Sequence, residues 1–553
     1  MLEKDLQILY REKSLIKWIK NFITYATVLL LICGHSSIVA AVDAVNKAEQ
    51  SIALALTDEP PDLSSLTTTD SISIMLLAHV MEGLLTYDAQ NELVGGVAER
   101  WELTEHKATF WLRRAVLWSD GLPVTAHDFV FAWQTAVTPA TGSAYASILF
   151  PVKNAEAINS GKLPASELGV HALDDYTLEV FFEKPTPYFL SLTAFATYYP
   201  VREDFYRQQG KLYAAEASNM LYNGRYIIEK WVHGAELTLR KNPKYWQQES
   251  VKLDKIAIPY ITSDPTARYN LFKDGNIALA GLDAETLKDA LRQPVKMRRF
   301  LDGGLMFLEF NHRVGRVTTN KNFRKAIQSV IDTDVLVNKV IGIPGNIPGE
   351  SVFPLWLQGV SDKLRSEYPP AVVVKDYERA RNYLALAKQE LGLKAIPSLI
   401  FLTGDAPAAA KEAEYFQRVL KQHLDIDVRI DRQIFKQRLA KMTSGEFDIV
   451  STGWGPDFND PITFGNLFAS WNENNRGRYS SAEYDHWVAV SESTIDQTVR
   501  MKAMAAMQQI LIDDAALIPL YERGAIYLQH SQLKGVVRRI FGGDPYFGYA
   551  HVD

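Results

Sequence analysis

Apolar residues recur at two different spacings along the chain, and stretches with the two spacings alternate. Period-two alternation and short apolar runs predict strands at Ile52–Leu56, Leu178–Phe182, Leu237–Arg240, Leu399–Leu402, Val428–Ile430 and Phe447–Val450. Apolar residues three or four positions apart predict helices at Ile74–Leu84, Lys321–Ile331, Tyr377–Leu391, Ala408–His423 and Val499–Ile512. Strands that alternate with helices favour the α/β class of fold.

One part of the chain combines several local structure signals in a fixed order. Ala108–Arg113 alternates apolar and polar residues and predicts a half-buried strand. Asp120 and Gly121 then predict a turn, because glycine adopts positive φ without a steric penalty. Thr125 can cap a following helix, and Asp128 lies three residues further on, where a carboxylate complements the helix dipole. One face of this helix carries Phe129, Trp133 and Val137.

The size and composition of the chain indicate a globular protein with several domains. A chain of 553 residues is too long for one hydrophobic core, so we expect two to four domains. Hydrophobic residues make up 47% of the chain and charged residues 22%, which is typical of folded proteins rather than disordered or fibrous ones.

The first 41 residues have the pattern of an export signal. Lys13, Lys17 and Lys20 precede the apolar run Phe22–Cys33, and small residues follow at Val39, Ala40 and Ala41. We therefore predict export to the periplasm with cleavage after Ala41, although the run is nearly long enough to remain as a membrane anchor. Lipidation at Cys33 is disfavoured, because Ile32 stands where such a signal has a small residue.

Cysteine content and charge limit the possible partners. Cys33 is the only cysteine, so the processed chain would have no thiol and no disulfide, which fits an oxidising compartment. Without residues 1–41 the chain keeps 54 Lys and Arg against 62 Asp and Glu. A mildly acidic chain without a basic tract argues against a nucleic-acid partner.

Four stretches resemble the extracellular solute-binding proteins of family 5, whose oligopeptide-binding members deliver peptides to ABC importers. The stretches are Val94–Pro139, Tyr222–Trp246, Phe310–Asp332 and Phe447–Phe464, and the resemblance extends over roughly residues 50–550. It implies a bilobal α/β fold of the periplasmic-binding-protein type (class II) with a hinge between the lobes. It also implies a monomer that binds an oligopeptide, docks on an ABC permease, and needs no cofactor or metal.

The family layout also implies domain boundaries. One lobe would contain a core domain of residues 42–84, 200–305 and 515–553, with residues 85–199 inserted. Residues 306–514 would form the second lobe. The chain crossings between the lobes would then act as the hinge, and the ligand would bind where the lobes meet.

The stretch Gly453–Pro461 contains the main candidate for ligand binding. Gly453, Trp454 and Gly455 would form a bend where backbone can approach a ligand, and Asp457 would project from the carboxyl end of a strand. In peptide-binding family members the aspartate at this place pairs with the α-ammonium of the ligand. The alternative from the residues alone is that Asp457 caps the turn at Asn459.

Aromatic side chains are further candidates for the walls of the site. Tyr145, Phe435 and Tyr521, together with Trp454, stand where the resemblance implies side chains facing the cleft. Aromatic rings line pockets without requiring one particular ligand side chain. Main-chain hydrogen bonds to an extended peptide would supply the remaining affinity.

The chain departs from the family pattern at three places. Ser451 occupies the position of an arginine, and Gly404–Ala408 lacks an expected histidine. An expected acidic residue has no clear counterpart in Ser64–Ser73. These differences leave open the peptide length, and also a non-peptide cargo such as a metal complex, haem, a sugar or a signalling molecule.

A hydrolase is the remaining alternative. The 11 histidines are scattered, and the chain has no HExxH, GxSxG or phosphate-binding glycine motif. Acidic pairs such as Asp174-Asp175 are better explained as caps at turns and helix ends. We therefore expect a binding protein rather than an enzyme.

Overall fold

Three sheets contain most of the strands in residues 43–553, the part of the chain that the computed structural model describes. The predicted export segment and Cys33 lie outside these residues. The first sheet has five strands, in the order Val45–Asn46, Ser51–Leu56, Lys255–Ile261, Glu236–Lys241 and Tyr226–Val232. Only Ser51–Leu56 and Lys255–Ile261 pair in parallel within it.

The second sheet is mixed. Its strands follow the order Leu279–Leu282, Leu517–Gln529, Met297–Phe310, Ile449–Trp454, Leu399–Gly404 and Val428–Gln433. The last three are parallel to one another, and the short strand Ile347–Pro348 pairs with Leu517–Gln529. Met297–Phe310 pairs antiparallel with both of its neighbours, so long strands from distant parts of the chain meet at the centre of the sheet.

The third sheet is antiparallel and packs near the predicted capped helix. Its strands follow the order Ala98–Leu103, Lys107–Leu112, Thr177–Phe181 and Val170–Asp174. Two further antiparallel pairs join Leu85–Tyr87 with Leu93–Gly95, and Leu533–Lys534 with His551–Val552.

The helix Ala126–Val137 begins as its sequence predicts. The Asp128 carboxylate accepts from the backbone N–H of Thr125 at 2.8 Å and from Trp118 Nε1 at 3.2 Å. Phe129, Trp133 and Val137 are fully buried. Because Asp128 is itself buried, its pKa is raised to about 6.

The longer α-helices are Ser71–Val80, Ala126–Val137, Pro265–Lys273, Lys321–Gln328, Tyr377–Leu391, Pro407–Leu424, Phe435–Ser444, Ala482–Glu492 and Gln497–Asp513. The shorter ones are Ala155–Asn159, Phe189–Leu192, Glu203–Gln209, Ala284–Ala290, Thr333–Val335, Leu364–Glu367 and Ile462–Gly465. A π-helical turn spans Leu336–Ile341. Short 3₁₀ segments lie at Pro139–Thr141, Ala146–Leu149, Ala165–Glu167, Ala196–Tyr198, Gly210–Leu212, Ala217–Asn219, Gln248–Ser250 and Val317–Thr319. Within residues 43–553, no helix is both long and apolar enough to cross a bilayer.

The predicted elements all exist, but some boundaries were wrong. Tyr377–Leu391 has the predicted bounds, whereas the helix predicted at Ile74–Leu84 is Ser71–Val80. Asp70 caps its start by accepting from two backbone N–H groups. Beyond its end, Gly83 lies so close to Thr193 that a Cβ would stand 2.5 Å from the carbonyl oxygen. The helix Lys321–Gln328 is also three residues shorter than predicted.

The predicted domain boundaries remain a prediction. The strand Met297–Phe310 extends across the predicted boundary at residues 305 and 306. It pairs along most of its length with Leu517–Gln529, which begins just after the predicted boundary at 514 and 515.

Candidate ligand-binding site

The candidate site lies where three parallel strands of the second sheet end. Leu399–Gly404, Val428–Gln433 and Ile449–Trp454 have their carboxyl ends at one edge, because they run in the same direction. The carboxyl edge of parallel strands is the usual ligand site in α/β sheets. The segments that follow these strands line two cavities.

The first, which we call the Asp457 cavity, has a volume of about 350 Å3. It is lined by Thr452–Asp457, Arg438 and Arg476, and by Thr69–Ser71 and the C-terminal segment Arg539–Asp544. Tyr145 and Phe195 also line it. The cavity therefore lies between widely separated parts of the chain, as a cleft between lobes requires.

The second, which we call the Glu412 cavity, has a volume of about 360 Å3. Asp302, Met306, Phe435, Arg438 and Arg523 line both cavities. The two cavities therefore adjoin.

Asp457 projects into its cavity from the loop after Ile449–Trp454. Its Oδ1 accepts from the Tyr145 hydroxyl at 3.0 Å, and its backbone N–H donates to Thr463 Oγ1 at 3.0 Å. No cationic group of residues 43–553 lies within 4 Å of this carboxylate. Burial therefore raises the pKa of Asp457 to about 8, despite the hydrogen bond from Tyr145. The carboxylate bonds across the cleft and does not cap the turn at Asn459.

A buried ion pair holds the loop that carries Asp457. Asp460 accepts from the backbone N–H of Ile462 at 3.0 Å and from Arg500 Nη2 at 2.7 Å. The Arg500 side chain is 1% exposed and that of Asp460 is 10% exposed. Phe458 stacks on Tyr188 from the opposite side, with 5.5 Å between ring centroids. These contacts fix the loop immediately after Asp457.

The structure brings the seven residues singled out from the sequence to these cavities. Tyr145, Phe435, Gly453, Trp454, Gly455 and Asp457 line the Asp457 cavity, and Phe435 and Tyr521 line the Glu412 cavity. The rings of Tyr145 and Trp454 lie 6.1 Å apart. Their roles in binding a ligand remain predictions.

The two glycines of the bend differ in their surroundings. A Cβ at Gly453 would stand 2.4 Å from Met306 Sδ and 2.9 Å from the carbonyl oxygen of Leu305, so Gly453 permits close strand packing. A Cβ at Gly455 would have its nearest neighbour, Arg523 Nη2, at 3.9 Å. Gly455 is therefore the one that leaves space on the cavity side.

The position of the missing arginine faces the Glu412 cavity. The Ser451 hydroxyl donates to Glu412, which also accepts from the Tyr521 hydroxyl at 3.3 Å. Burial raises the pKa of Glu412. Burial, and then the nearby Asp405, raise the pKa of Asp58 to about 6. Carboxyl groups thus dominate the lining where the expected arginine and histidine are absent.

Sequence reasoning missed several residues of the site. Arg438, Arg476 and the ion pair between Arg523 and Asp302, at 3.0 Å, all line the Asp457 cavity. The helix Phe435–Ser444 was not predicted, so the sequence did not indicate that Arg438 lies at the edge of the sheet. Arg476 follows Asn474-Asn475, which indicates a turn. Where that turn places Arg476 depends on the rest of the fold.

The segment Ser64–Ser73 also contributes to the site. Asp70 lines the Asp457 cavity, although Ile72 N, Ser73 N and Thr68 Oγ1 donate to its carboxylate. It therefore serves first as a helix cap. Among residues 43–553, no group of three or more His, Cys, Asp or Glu side chains is arranged to hold a metal ion.

Comparison with known proteins identifies the family. The family model for bacterial extracellular solute-binding proteins, family 5 (middle), matches residues 92–476. The periplasmic oligopeptide-binding protein OppA of Salmonella typhimurium is 32% identical over 476 residues, which are 84% of this chain and 85% of that protein.

Solved structures agree with this result. The structure of Listeria monocytogenes OppA bound to peptide matches with a TM-score of 0.86 and 30% identity, over 91% of this chain and 99% of that one. The structure of the Escherichia coli murein tripeptide binding protein MppA matches with a TM-score of 0.83 and 26% identity, over 92% of this chain and 99% of that one. The unliganded open form of MppA matches with a TM-score of only 0.61, at the same identity, over 93% of this chain and 99% of that one. The arrangement described here therefore differs from that open form.

The predicted fold class is confirmed, because these matches extend over nearly the whole of the described chain and include its mixed α/β sheets. The chain belongs to the bacterial extracellular solute-binding proteins of family 5.

Proposed function

We propose that this protein is the extracytoplasmic binding subunit of an ABC importer and that its cargo is an oligopeptide with a free amino terminus. The observation that carries the proposal is Asp457, an enclosed carboxylate that faces a cavity and has only a neutral partner, Tyr145. A peptide ammonium supplies the opposite charge that no group of residues 43–553 places within 4 Å of this carboxylate.

The physical basis is the balance between desolvation and ion pairing. An enclosed ammonium loses its hydration, and a carboxylate with good geometry restores the lost interaction. The raised pKa of Asp457 shows how poorly the empty cavity accommodates a negative charge. A cation beside Asp457 favours the ionised carboxylate and therefore the closed cleft.

The proposed mechanism begins with two lobes that sample open and closed arrangements. Tyr145 and Asp457 are 312 residues apart in the chain, and their hydrogen bond would form only in the closed arrangement. The peptide amine adds to this contact, while the peptide backbone pairs with exposed main-chain groups along the cleft. Closure is then favoured by as much as the ligand prefers the closed state. The closed form would dock on the permease.

The names of the relatives support a transport role rather than catalysis. They describe proteins that bind oligopeptides or dipeptides, and some are described as periplasmic. We accordingly place this chain outside the cytoplasmic membrane, as a monomer that binds and releases its cargo without a cofactor.

The experiment that tests this function is identification of the natural cargo. Residues 42–553 are purified under mild conditions and denatured, and the released molecules are identified by mass spectrometry. We expect peptides within a narrow range of lengths. Sugars, haem or metal complexes in their place, or steady cleavage of added peptides, would contradict the proposal.

A further inference from the structure

Two arginines that line the Asp457 cavity have no acidic partner. Arg438 donates from Nη1 to the Ser451 carbonyl at 3.3 Å, and its buried Nε has no hydrogen-bond partner. Arg476 donates from Nη2 to Thr69 Oγ1 at 3.0 Å and to Asn474 Oδ1 at 3.2 Å. Across residues 43–553, no carboxylate lies within 4 Å of either guanidinium.

The other arginines of this cavity are already occupied. Arg523 forms an ion pair with Asp302 at 3.0 Å. Arg539 lies over the ring of Tyr546, 3.7 Å from its centroid, and donates to the Tyr87 carbonyl at 2.7 Å. Within residues 43–553, Arg539 also has no carboxylate partner, but its guanidinium lies against the Tyr546 ring, whereas the Phe435 ring lies 5.5 Å from Arg438. Among the described residues, Arg438 and Arg476 are thus the two arginines of this cavity with neither a carboxylate nor a close aromatic ring beside them.

The two guanidinium groups lie close enough to affect each other. Burial, followed by the nearby positive charge of Arg476, lowers the pKa of Arg438. Asp58, Asp405 and Glu412 act in the opposite direction from the Glu412 cavity, which Arg438 also lines. Glu309 and Asp70 do the same for Arg476, but none of these carboxylates forms an ion pair with either arginine. Two enclosed cations of this kind form an anion site, since an anion between them relieves both desolvation and repulsion.

We propose that Arg438 and Arg476 together bind a carboxylate of the ligand inside the Asp457 cavity. This inference rests on the proposed function, because the peptide is the source of the carboxylate. That group is either the C-terminal carboxylate of a short peptide or an acidic side chain of a longer one. In either case the two arginines provide the positive charge that is missing at Ser451 and in Gly404–Ala408. The cavity would then bind both the amine and a carboxylate of the ligand.

The test is calorimetry with peptides that differ only in their acidic groups. Alanine peptides of two to five residues are titrated as free acids, and the length that binds most tightly is compared with its C-terminal amide. A third ligand is the amide with one alanine replaced by glutamate, tried at each position after the first. We expect removal of the relevant carboxylate to weaken binding at least tenfold, and the arm that shows the effect identifies its source.

Variants connect this effect to the two arginines. In Arg438→Gln and in Arg476→Gln, the acid and its amide should bind with affinities that agree within about twofold. Lys436→Gln is the matched control, because Lys436 is an exposed cation on the same helix and does not line either cavity. It should keep the full preference for the acid.

Folding and function are separated within the same experiment. Removing an unpaired enclosed charge should leave the ligand-free melting temperature of Arg438→Gln equal to or above that of the wild type, and Arg438→Lys provides a second variant that keeps the charge. Equal affinity of the wild type for peptides with and without a carboxylate would overturn the inference alone. So would equal weakening of acid and amide in both variants. Failure of every free peptide to bind would instead contradict the proposed function, and the inference with it.

Discussion

The protonation state of Asp457 affects both ligand binding and closure of the cleft. The rise in its pKa from 3.8 to about 8 corresponds to roughly 6 kcal/mol that disfavours the ionised form in the empty cavity. Tyr145 offers one hydrogen bond, which offsets only part of the lost hydration. A ligand ammonium provides the remainder, so the same side chain both recognises the amine and resists closure without it.

Replacing this carboxylate with an amide should therefore remove most of the affinity. In Asp457→Asn a bound ammonium loses its charged partner, which costs about 3–5 kcal/mol for a buried pair. Titration calorimetry should show peptide affinity reduced about a hundredfold or more. Glu414→Gln, on the exposed face of Pro407–Leu424, should bind like the wild type. Unchanged affinity in Asp457→Asn would show that the amine binds elsewhere.

His79 makes the fold sensitive to acid. Its Nδ1 donates to the Met75 carbonyl at 2.7 Å, and its Nε2 accepts from the backbone N–H of Phe547 at 2.9 Å, which leaves no site for a second proton. Burial lowers its pKa to about 4. The unfolded chain takes up the proton near pH 6.5 and the folded chain only near pH 4, so stability is lost as the pH falls between these values.

We expect this residue to account for up to about 3 kcal/mol of acid sensitivity. Melting temperatures measured between pH 7 and pH 4.5 should fall for the wild type. His79→Gln should be less stable at pH 7, because it loses the bond from Phe547, but should decline less steeply. Parallel curves for the two proteins would rule out His79 as the cause.

At the level of elements, the ligand loop depends on a helix that does not touch the cavity. Gln497–Asp513 carries Arg500, whose Nε donates to the Ser491 carbonyl at 3.1 Å while Nη2 holds Asp460. Asp457 lies three residues before Asp460 in the same loop. The helix therefore positions the carboxylate that we propose binds the ligand.

Removing the cation should destabilise the protein more than removing the pair. Arg500→Met leaves Asp460 buried without a partner, and urea unfolding should show a loss of about 3–5 kcal/mol. The double variant Arg500→Met with Asp460→Leu removes both charges and should regain most of that loss. If the single and double variants were equally unstable, packing around the helix would be responsible instead of the ion pair.

Helices and strands whose apolar residues recur at a regular spacing could be predicted from the sequence. Elements that are held in place mainly by contacts with distant parts of the chain could not. Pro407–Leu424 has buried residues at helical spacing, so its sequence alone indicates the helix. Phe435–Ser444 buries only Met442, so its sequence contains little periodic signal, and Arg438 was missed with it. Asp457 could be proposed because its motif is local. Arg476 and the Arg539–Asp544 segment reach the cavity only through long-range packing, which no local pattern records.

At the scale of the whole molecule, the site exists only where separate walls come together. Tyr145 meets Asp457, Asn474 Nδ2 donates to the Ala144 carbonyl at 3.2 Å, and Arg476 meets Thr69. These contacts join segments more than 300 residues apart. The lower similarity to the open form of MppA fits an arrangement in which the cleft is shut. The charge on Asp457 should then oppose closure whenever the cavity is empty.

The ligand-free protein should consequently open as the pH rises. Closing the empty cleft around Asp457 becomes less favourable by about 1.4 kcal/mol for each pH unit between 3.8 and about 8, because the open carboxylate is ionised and the closed one is protonated. Small-angle X-ray scattering should give a larger radius of gyration at pH 8 than at pH 5. Asp457→Asn should show a smaller difference, and an equal change in both proteins would assign the opening to other groups.

The most direct test of the proposed function is whether binding requires a free amine on the peptide. At pH 7, titration calorimetry compares the tightest-binding alanine peptide with the same peptide acetylated at its amino terminus. Acetylation removes the positive charge and leaves the rest of the peptide backbone unchanged. Acetylation should weaken binding by about a hundredfold or more, as expected for a buried carboxylate left without its partner. Equal affinity for the two peptides would contradict the proposed role of Asp457.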